Sequence, residues 1–143
     1  MEVPGSKRQS LPPGGMDRPG KAVIWGCAAA LLLKFLLFDF MITEGSSMSP
    51  TIKSGAVLVV VRLAYGFRLP GSGRYLFRWS HPKAGDVVVF FTPGGDTAVK
   101  RCGAWIGDGT FFALGDNNRE SYDSRFYGPV PMDRIIGKVL GIK

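Results

Sequence analysis

The run Gly85-Asp86-Val87-Val88-Val89-Phe90-Phe91, "GDVVVFF", is one of five short apolar runs that follow one another along the chain beyond residue 45. The others occupy residues 56–61, 97–106, 110–116 and 135–142, and Gly, Pro and Asp separate them. Short runs rich in Val, Ile and Phe with turn residues at both ends are typical of β-strands. The sequence therefore predicts a compact, mostly antiparallel β domain over residues 43–143.

The composition limits the classes of protein to which the chain can belong. A length of 143 residues corresponds to about one domain, and 45% hydrophobic with 20% charged residues excludes a wholly disordered chain. The net charge of +7 predicts an anionic neighbour, either nucleic acid or anionic lipid. One histidine and the two distant cysteines Cys27 and Cys102 lack the spacing of a zinc site, so no metal is predicted.

Residues 22–42, "AVIWGCAAALLLKFLLFDFMI", form a long apolar run in which only Lys34 and Asp39 are charged. A bilayer core needs about 20 helical residues, so the length fits one crossing. The run exceeds the apolar core of a cleaved signal peptide, about 7–15 residues, and no small-residue cleavage pattern follows it. The sequence predicts a transmembrane anchor helix, with a buried helix of a soluble protein as the alternative, and places Lys34 near its middle.

Two flanking segments complete the organisation. Residues 1–21, rich in Pro and Gly with little to bury, are predicted to be a flexible basic tail. Basic residues before the apolar run and Glu44 after it favour a single-pass topology with the tail inside and the β domain outside.

Residues 62–84 combine basic and aromatic side chains with no acidic residue. Beside an anchor, this composition predicts a loop on the membrane interface, with aromatic rings at headgroup depth and arginines near anionic lipid phosphates. A solvated loop and a nucleic-acid platform are the alternatives. We expect lipid and not nucleic acid to be the partner. The basic and aromatic residues are Arg62, Arg68, Arg74, Arg78 and Lys83, and Tyr65, Phe67, Tyr75, Phe77 and Trp79.

The stretch "GSSMSPT" (45–51) offers three serines as nucleophiles, but the only histidine, His81, is followed by proline. A lysine can replace histidine as the base of a serine nucleophile if burial lowers its pKa from about 10.4. Lys100 lies in the apolar run "TAVKRCG", where the strand period gives it the small neighbours Ala98 and Cys102 on its own face. Lys100 is therefore the candidate base, and a solvated edge residue is the plainer alternative.

The stretch "LGDNNRESYDSRFYG" (114–128) concentrates polar residues between apolar strands. It can be a turn whose side chains cap backbone groups, or it can support the lysine. In the second case, Ser121 would hold the nitrogen of Lys100 by a neutral hydrogen bond. Asp123 would pair with Arg125 and Arg101, because an unpaired carboxylate beside the lysine would raise the lysine pKa.

Four motifs, "GSSMSPT", "GDVVVF", "VKRCG" and "GDNNRESYDSR", follow one another in the order and with the internal spacing of the type I signal peptidases. Over about residues 22–140 the chain resembles these membrane-anchored serine proteases, which remove signal peptides from exported proteins. The resemblance implies the β fold of the signal peptidase and LexA type, and no cofactor. It also implies preproteins as substrates, the export machinery as a further partner, and a location in the cytoplasmic (inner) membrane.

The resemblance also implies roles for individual residues. Ser47 corresponds to the nucleophile, Lys100 to the general base and Ser121 to the serine that orients the lysine. Asp123 and Arg125 correspond to the structural pair of the site, with Arg101 joining them. The pockets for small residues, which favour Ala-x-Ala before the cut, correspond to Met48, Ile52, Ala98 and Val99.

Two positions depart from the family pattern. Gly45 stands where many members carry a hydroxyl that helps to hold the oxyanion, which leaves backbone N–H groups, chiefly that of Ser47, for this task. Asn118 stands where the family has arginine, and the arginine follows as Arg119. The length leaves no room for the second β domain or second membrane helix of larger relatives, so a minimal, single-anchor form is expected.

Three other functions remain open on the sequence. A LexA-type self-cleaving repressor shares the Ser–Lys pair but is soluble and carries a DNA-binding domain, which the anchor argues against. A dedicated maturation protease for pilin-like or conjugation proteins would use the same site. An inactive, membrane-tethered β scaffold would use only the basic segment.

Overall fold

The computed structural model describes residues 18–69, 74–106 and 108–141. Most of the predicted basic tail, residues 1–17, lies outside the described residues. The chain divides into two compact units with the boundary between Leu33 and Lys34. The second unit contains the β domain.

The one long helix among the described residues, α1, spans Arg18–Leu37, so it begins and ends earlier than the predicted 22–42. Its segment Gly20–Leu37 is 18 residues long, apolar enough to cross a membrane and not buried against protein. Lys34 lies in the last turn of α1 and not near the middle of the helix, because the helix ends at Leu37. A positive charge in the last turn interacts favourably with the negative end of the helix dipole, and the long side chain can extend its amine towards the membrane interface.

Residues Phe38–Ile42, assigned to the anchor on the sequence, form strand β1 instead. They pair antiparallel with strand β2, Val57–Val61, from Phe38 opposite Val61 to Ile42 opposite Val57. Asp39 forms an ion pair with Arg62 at 3.3 Å and so has a partner outside the apolar run. A continuous apolar run does not distinguish a helix from a strand. The pairing with β2, distant in sequence, decides the state of these five residues.

The elements that follow β1 and β2 are β3 Gly66–Arg68, β4 Tyr75–Arg78, β5 Val87–Phe91, β6 Thr97–Ile106, β7 Thr110–Leu114, α2 Ser124–Tyr127, β8 Val130–Pro131, a 3-10 turn Met132–Arg134, and β9 Ile135–Val139. Among the described residues, the β domain is built on one seven-stranded sheet in which every neighbouring pair is antiparallel, in the order β1-β2-β9-β5-β6-β7-β8. Strands β3 and β4 form a separate two-stranded sheet. This architecture confirms the predicted fold class.

The run "GDVVVFF" contains the central strand β5, whose residues from Val87 to Phe90 are completely buried. Val88 and Phe90 belong to a hydrophobic cluster on one face of the sheet. Val87 and Val89 belong to a second cluster, which also contains Met48 from the "GSSMSPT" segment. Because both faces of β5 are covered, every side chain can be apolar, which explains why the run does not alternate with polar residues.

The basic and aromatic segment 62–84 contains a β-hairpin, β3 and β4, where the sequence predicted a loop. Residues 70–73, between the two strands, lie outside the described residues. The side chains of Phe77 and Trp79 are 71% and 59% exposed. The hairpin therefore presents aromatic surface beside the arginines of the same segment.

Candidate active site

The segment that carries Ser47 follows β1 and turns sharply towards β2. The N–H of Ile52 donates to the carbonyl of Met48 at 2.8 Å, and the N–H of Ser49 donates to that of Ser46 at 2.9 Å. Met48 and Ile52 are buried in the second hydrophobic cluster. Two buried side chains therefore fix the turn, and Ser47 is held half-buried next to them.

Lys100 lies on β6 opposite Val88 of β5 and is only 5% exposed. Its Nζ lies 2.5 Å from the Oγ of Ser47, within hydrogen-bond distance. Burial lowers the pKa of the Lys100 amine from its usual range; the charge of Asp123 opposes this shift and that of Arg125 adds to it. The sequence-predicted pair is therefore in contact, and its amine is disposed to lose its proton.

Ser121 has a different hydrogen-bond partner from the one predicted. Its hydroxyl donates to Oδ2 of Asp123 at 2.6 Å, and within the described part of the chain no hydrogen bond joins it to Lys100. Ser121 is buried, as is the carboxylate that it contacts. Its contact is thus with the carboxylate that acts electrostatically on the lysine, not with the amine itself.

The carboxylate of Asp123 is completely buried and accepts five hydrogen bonds. Arg125 donates to it through Nε at 2.8 Å and Nη2 at 2.5 Å, and the N–H of Gly115 donates at 2.8 Å. Burial alone would raise the pKa of Asp123, but these donors outweigh it and hold the pKa well below its usual range. The predicted Asp123–Arg125 pair is present, and it keeps the Asp123 charge compensated.

Arg101, which the sequence assigned to Asp123, binds a different carboxylate. Its Nε and Nη2 donate to Asp116 at 2.9 and 2.8 Å, a bidentate pair, and its Nη1 donates to the carbonyl of Gly85 at 2.8 Å. Because consecutive side chains of a strand point to opposite faces, Arg101 cannot share the surroundings of Lys100. Arg101 therefore anchors residues 115–123, which we call the polar loop, through Asp116. Asp116 belongs to the fourth sequence motif, but the sequence analysis predicted no role for it.

The polar loop contacts residues 45–51 directly, which sequence reasoning did not foresee. We call these residues the nucleophile segment, after the role that the sequence predicts for Ser47. The backbone N–H of Asn117 donates to the carbonyl of Ser47 at 2.9 Å, and its side-chain Nδ2 donates to the carbonyl of Ser46 at 3.2 Å. The hydroxyl of Ser46 donates to the carboxylate of Glu120. Two segments about 70 residues apart in sequence are thereby held in a fixed relation.

Gly115 permits this approach because it has no side chain. A Cβ at this position would lie 2.0 Å from Oγ of Ser121 and 2.7 Å from the carbonyl oxygen of Ser47. Both distances are far inside van der Waals contact. Glycine is therefore required at the point where the loop, the buried serine and the nucleophile segment meet.

The two departures from the family pattern have structural counterparts. Oδ1 of Asn118 accepts a hydrogen bond at 2.6 Å from Nη1 of Arg125, so the asparagine helps to hold the guanidinium that faces Asp123. Gly45 has a φ of +82°, in the left-handed region that favours glycine. No atom lies within 4 Å of the position that its Cβ would occupy, so the space beside the cleft is open.

A cleft of about 350 Å³ opens at Ser47 and Lys100. All four residues predicted to form the substrate pocket line it: Met48, Ile52, Ala98 and Val99. One wall of the cleft is the end of β1, which lies at the edge of the sheet. The other wall is residues 97–100 of β6; among the described residues, these pair with β5 on one side and with no strand on the other. Two strand edges with unpaired backbone groups therefore face the cleft.

Comparison with known proteins identifies the class to which this site belongs. The family model of the signal peptidases, peptidase S26, matches residues 17–109 and 103–142, so the chain belongs to this family. It is a membrane serine endopeptidase of the signal peptide-processing class.

The relatives are found in bacteria and in eukaryotes. The chain is 32% identical to mitochondrial inner membrane protease subunit 1 of Schizosaccharomyces pombe, over 88% of this chain and 86% of the relative. It is 27% identical to signal peptidase I of Bacillus caldolyticus, over 86% and 90%. With signal peptidase I of Pseudomonas aeruginosa it shares 31% identity over 78% of this chain but only 37% of the relative.

Replacing Gly115 by alanine tests the close approach of the loop. We expect the added Cβ to displace Ser121 and the Ser47 backbone, and a displacement of about 1 Å at a reacting group lowers the rate by roughly 100-fold. The measurement is the kcat/KM of precursor cleavage by the full chain in detergent. Gly94→Ala is the matched control, since the nearest atom to its Cβ lies 3.7 Å away. Equal rates for the two variants would contradict the steric role of Gly115.

Proposed function

We propose that this protein removes signal peptides from exported preproteins with Ser47 as nucleophile and Lys100 as general base, and cuts after small residues. The observation that carries the proposal is the 2.5 Å separation of Lys100 Nζ and Ser47 Oγ at a side chain only 5% exposed. A lysine in water is charged at neutral pH and has no lone pair for a proton. Burial next to a serine hydroxyl supplies both the neutral amine and the proton that it accepts.

The reaction follows from this geometry. Neutral Lys100 takes the hydroxyl proton of Ser47 while Oγ attacks the carbonyl carbon after the small residue, giving a tetrahedral oxyanion. The C–N bond then breaks, and the ammonium of Lys100 gives its proton to the leaving amine. In the second half, Lys100 removes a proton from water, the hydroxide attacks the ester, and Ser47 recovers its proton as the signal peptide leaves.

The surroundings of Lys100 favour its neutral form. Asp123 is the nearby negative charge that raises the lysine pKa, and Arg125 lies against it at 2.5 Å as a compensating positive charge. In this proposal Ser121, Asp123 and Arg125 set the electrostatic conditions of the amine. Arg101 holds the loop in place through Asp116.

The cleft supports a preference for small residues. Between the walls formed by β1 and by residues 97–100 of β6, which include Ala98 and Val99, the cleft is also lined by the buried Met48 and Ile52, so side-chain space beside Ser47 is limited. An extended peptide can lie between β1 and residues 97–100 and bond to their free backbone groups, with alternate side chains directed into the cleft. Ala-x-Ala before the cut fits this arrangement.

The location proposed for the protein is the cytoplasmic (inner) membrane, with α1 as a single crossing and the β domain outside. The basic residues Arg18 and Lys21 at the start of α1 and Glu44 after β1 support this orientation. Ser47 is ten residues after Leu37, the last residue of α1. The Cα atoms of these two residues can therefore lie at most about 36 Å apart, even in a fully extended chain. The nucleophile is thus tethered near the surface where signal peptides emerge, and the export machinery is a proposed partner.

Anionic lipid is the proposed partner of two exposed surfaces of the β domain. Phe40 and Ile42 of β1 and Val57 of β2 are exposed on the same outer face, and β1 directly follows α1 along the chain. The hairpin adds exposed Phe77 and Trp79. Aromatic and apolar side chains with nearby arginines suit the headgroup region of an anionic bilayer.

A fluorescence experiment tests the lipid contact. The chain has three tryptophans, so replacing Trp25 and Trp105 by phenylalanine leaves Trp79 as the reporter. In nanodiscs containing brominated anionic lipid, we expect quenching of Trp79 that weakens in neutral lipid. Trp79 emission that is the same with and without bromine would contradict the contact.

The dyad predicts a definite pH dependence. Because the reactive form is the neutral amine, kcat/KM of precursor cleavage should rise with pH and level off above the Lys100 pKa, which lies below the usual 10.5. Ser47→Ala and Lys100→Ala should each lower cleavage by at least about 1000-fold, as for other dyads and triads that act as a unit. Lys53→Ala, at an exposed lysine outside the site, is the control.

The cleavage assay uses an Ala-x-Ala precursor and the same precursor with leucine before the cut. Cleavage of the first and not of the second supports the small-residue pocket. Retained cleavage by Lys100→Ala would contradict the dyad. No cleavage by the wild-type protein would instead favour the inactive scaffold.

A further inference from the structure

We propose that Asn117 is a positioning residue for the oxyanion: its side chain holds the Ser46–Ser47 peptide so that the N–H of Ser47 is directed into the cleft. The proposal rests on the proposed function, since it assigns the group that orients a donor to the tetrahedral intermediate. Neither the family pattern nor the dyad geometry by itself requires this role. Three features of the described residues carry it.

The first feature is the orientation of the Asn117 carboxamide. Its Oδ1 accepts a hydrogen bond from the backbone N–H of Arg119 at 3.3 Å. Because an amide oxygen accepts and an amide nitrogen donates, this contact fixes the side chain with its NH₂ group towards the nucleophile segment. There Nδ2 donates to the carbonyl of Ser46 at 3.2 Å.

The second feature is the geometry of the peptide that follows. In a trans peptide the carbonyl of one residue and the N–H of the next point in opposite directions. The carbonyl of Ser46 faces the polar loop, where it accepts from Asn117 and also from the N–H of Ser49 at 2.9 Å. The N–H of Ser47 therefore points away from the loop, to the side where Ser47 and Lys100 line the cleft.

The third feature is that the Ser47 N–H has no protein acceptor among residues 18–69, 74–106 and 108–141. The carbonyl of Ser47, by contrast, accepts from the backbone N–H of Asn117 at 2.9 Å. Asn117 thus donates hydrogen bonds to the carbonyls of Ser46 and Ser47, the peptide groups on both sides of the nucleophile. The N–H of Ser47 is left without a partner among the described residues. A preorganised, unpaired N–H beside the attacking oxygen is what stabilisation of an oxyanion requires.

The residue at position 45 increases the weight that falls on this donor. Gly45 has no side chain, so it offers no hydroxyl that could share the oxyanion with the Ser47 N–H. Removal of one oxyanion donor lowers kcat by roughly 100- to 1000-fold in a serine protease. Since the N–H of Ser49 still holds the Ser46 carbonyl when Asn117 is changed, we expect a smaller loss, about 10- to 100-fold.

The experiment compares Asn117→Ala and Asn117→Asp in the full chain in detergent. The aspartate is nearly isosteric, but its carboxylate cannot donate to the Ser46 carbonyl. Arg119→Ala is the control, since only the backbone N–H of Arg119 contacts Asn117. The measurements are kcat and KM for an Ala-x-Ala precursor, the pH profile, and the affinities of an Ala-x-Ala peptide aldehyde and of the product peptide.

An aldehyde forms a tetrahedral adduct with a serine, so it reports on the oxyanion, whereas the product peptide reports on the cleft. We expect both variants to lose about 10- to 100-fold in kcat and in aldehyde affinity, with KM and product affinity changed less than about 3-fold. The midpoint of the pH profile should stay that of the wild type in Asn117→Ala, which adds no charge near Lys100. The ratio of the two affinities does not depend on the fraction of folded protein, so partial unfolding does not mimic the result.

Wild-type kcat and aldehyde affinity in both variants would overturn the role of Asn117 and leave the dyad intact. Equal losses of aldehyde and product affinity would also overturn it, because they would indicate damage to the cleft. A wild-type protein that cleaves no precursor would overturn the proposed function itself.

Discussion

The burial of one amine against one hydroxyl is the constraint on which the rest of the site depends. Lys100 Nζ lies 2.5 Å from Ser47 Oγ on a side chain that is 5% exposed. A buried ammonium would be costly, so the surroundings favour the neutral form, which is the form that the proposed role of Lys100 as a base requires. Lys100 is paired with Val88 of the central strand β5, whose side chains belong to the hydrophobic clusters on both faces of the sheet.

The same constraint explains the arrangement of charges around the pair. A carboxylate close to Lys100 would restore the ammonium, yet the loop needs a buried acceptor for its N–H groups and for Ser121. Asp123 serves as that acceptor, and Arg125 balances its charge. The second ion pair of the site joins Asp116 to Arg101, whose side chain lies on the face of β6 opposite to that of Lys100. Each carboxylate thus has its own arginine.

Local sequence signals were sufficient to predict the β fold, the buried side of β6 and the two residues, Ser47 and Lys100, that the structure brings into contact. The strand period placed Lys100 with Ala98 and Cys102, and the motif resemblance supplied Ser47 and the residues of the pocket. Both kinds of signal are contained in short stretches of sequence. These signals can therefore be interpreted without knowledge of the tertiary contacts.

The features that were wrong or missed depend on contacts between distant segments. Residues 38–42 continue an apolar run, and only their register with β2 makes them a strand. The sequence analysis paired Arg101 with Asp123, whereas the fold pairs it with Asp116. Two further contacts depend on how the polar loop packs: the hydrogen bond of Ser121 to Asp123 and that of Asn117 to the carbonyl of Ser46. The local periodicity of the sequence does not encode this packing.

The most direct test of the central claim is the titration of the Lys100 amine in the full chain, by NMR of protein labelled with ¹³C at lysine Cε in detergent micelles. The Lys100 resonance is assigned by its absence from the Lys100→Arg spectrum. We expect this resonance to titrate clearly below the ordinary lysine value of 10.5. A Lys100 amine that titrates at 10.5 would contradict the central claim.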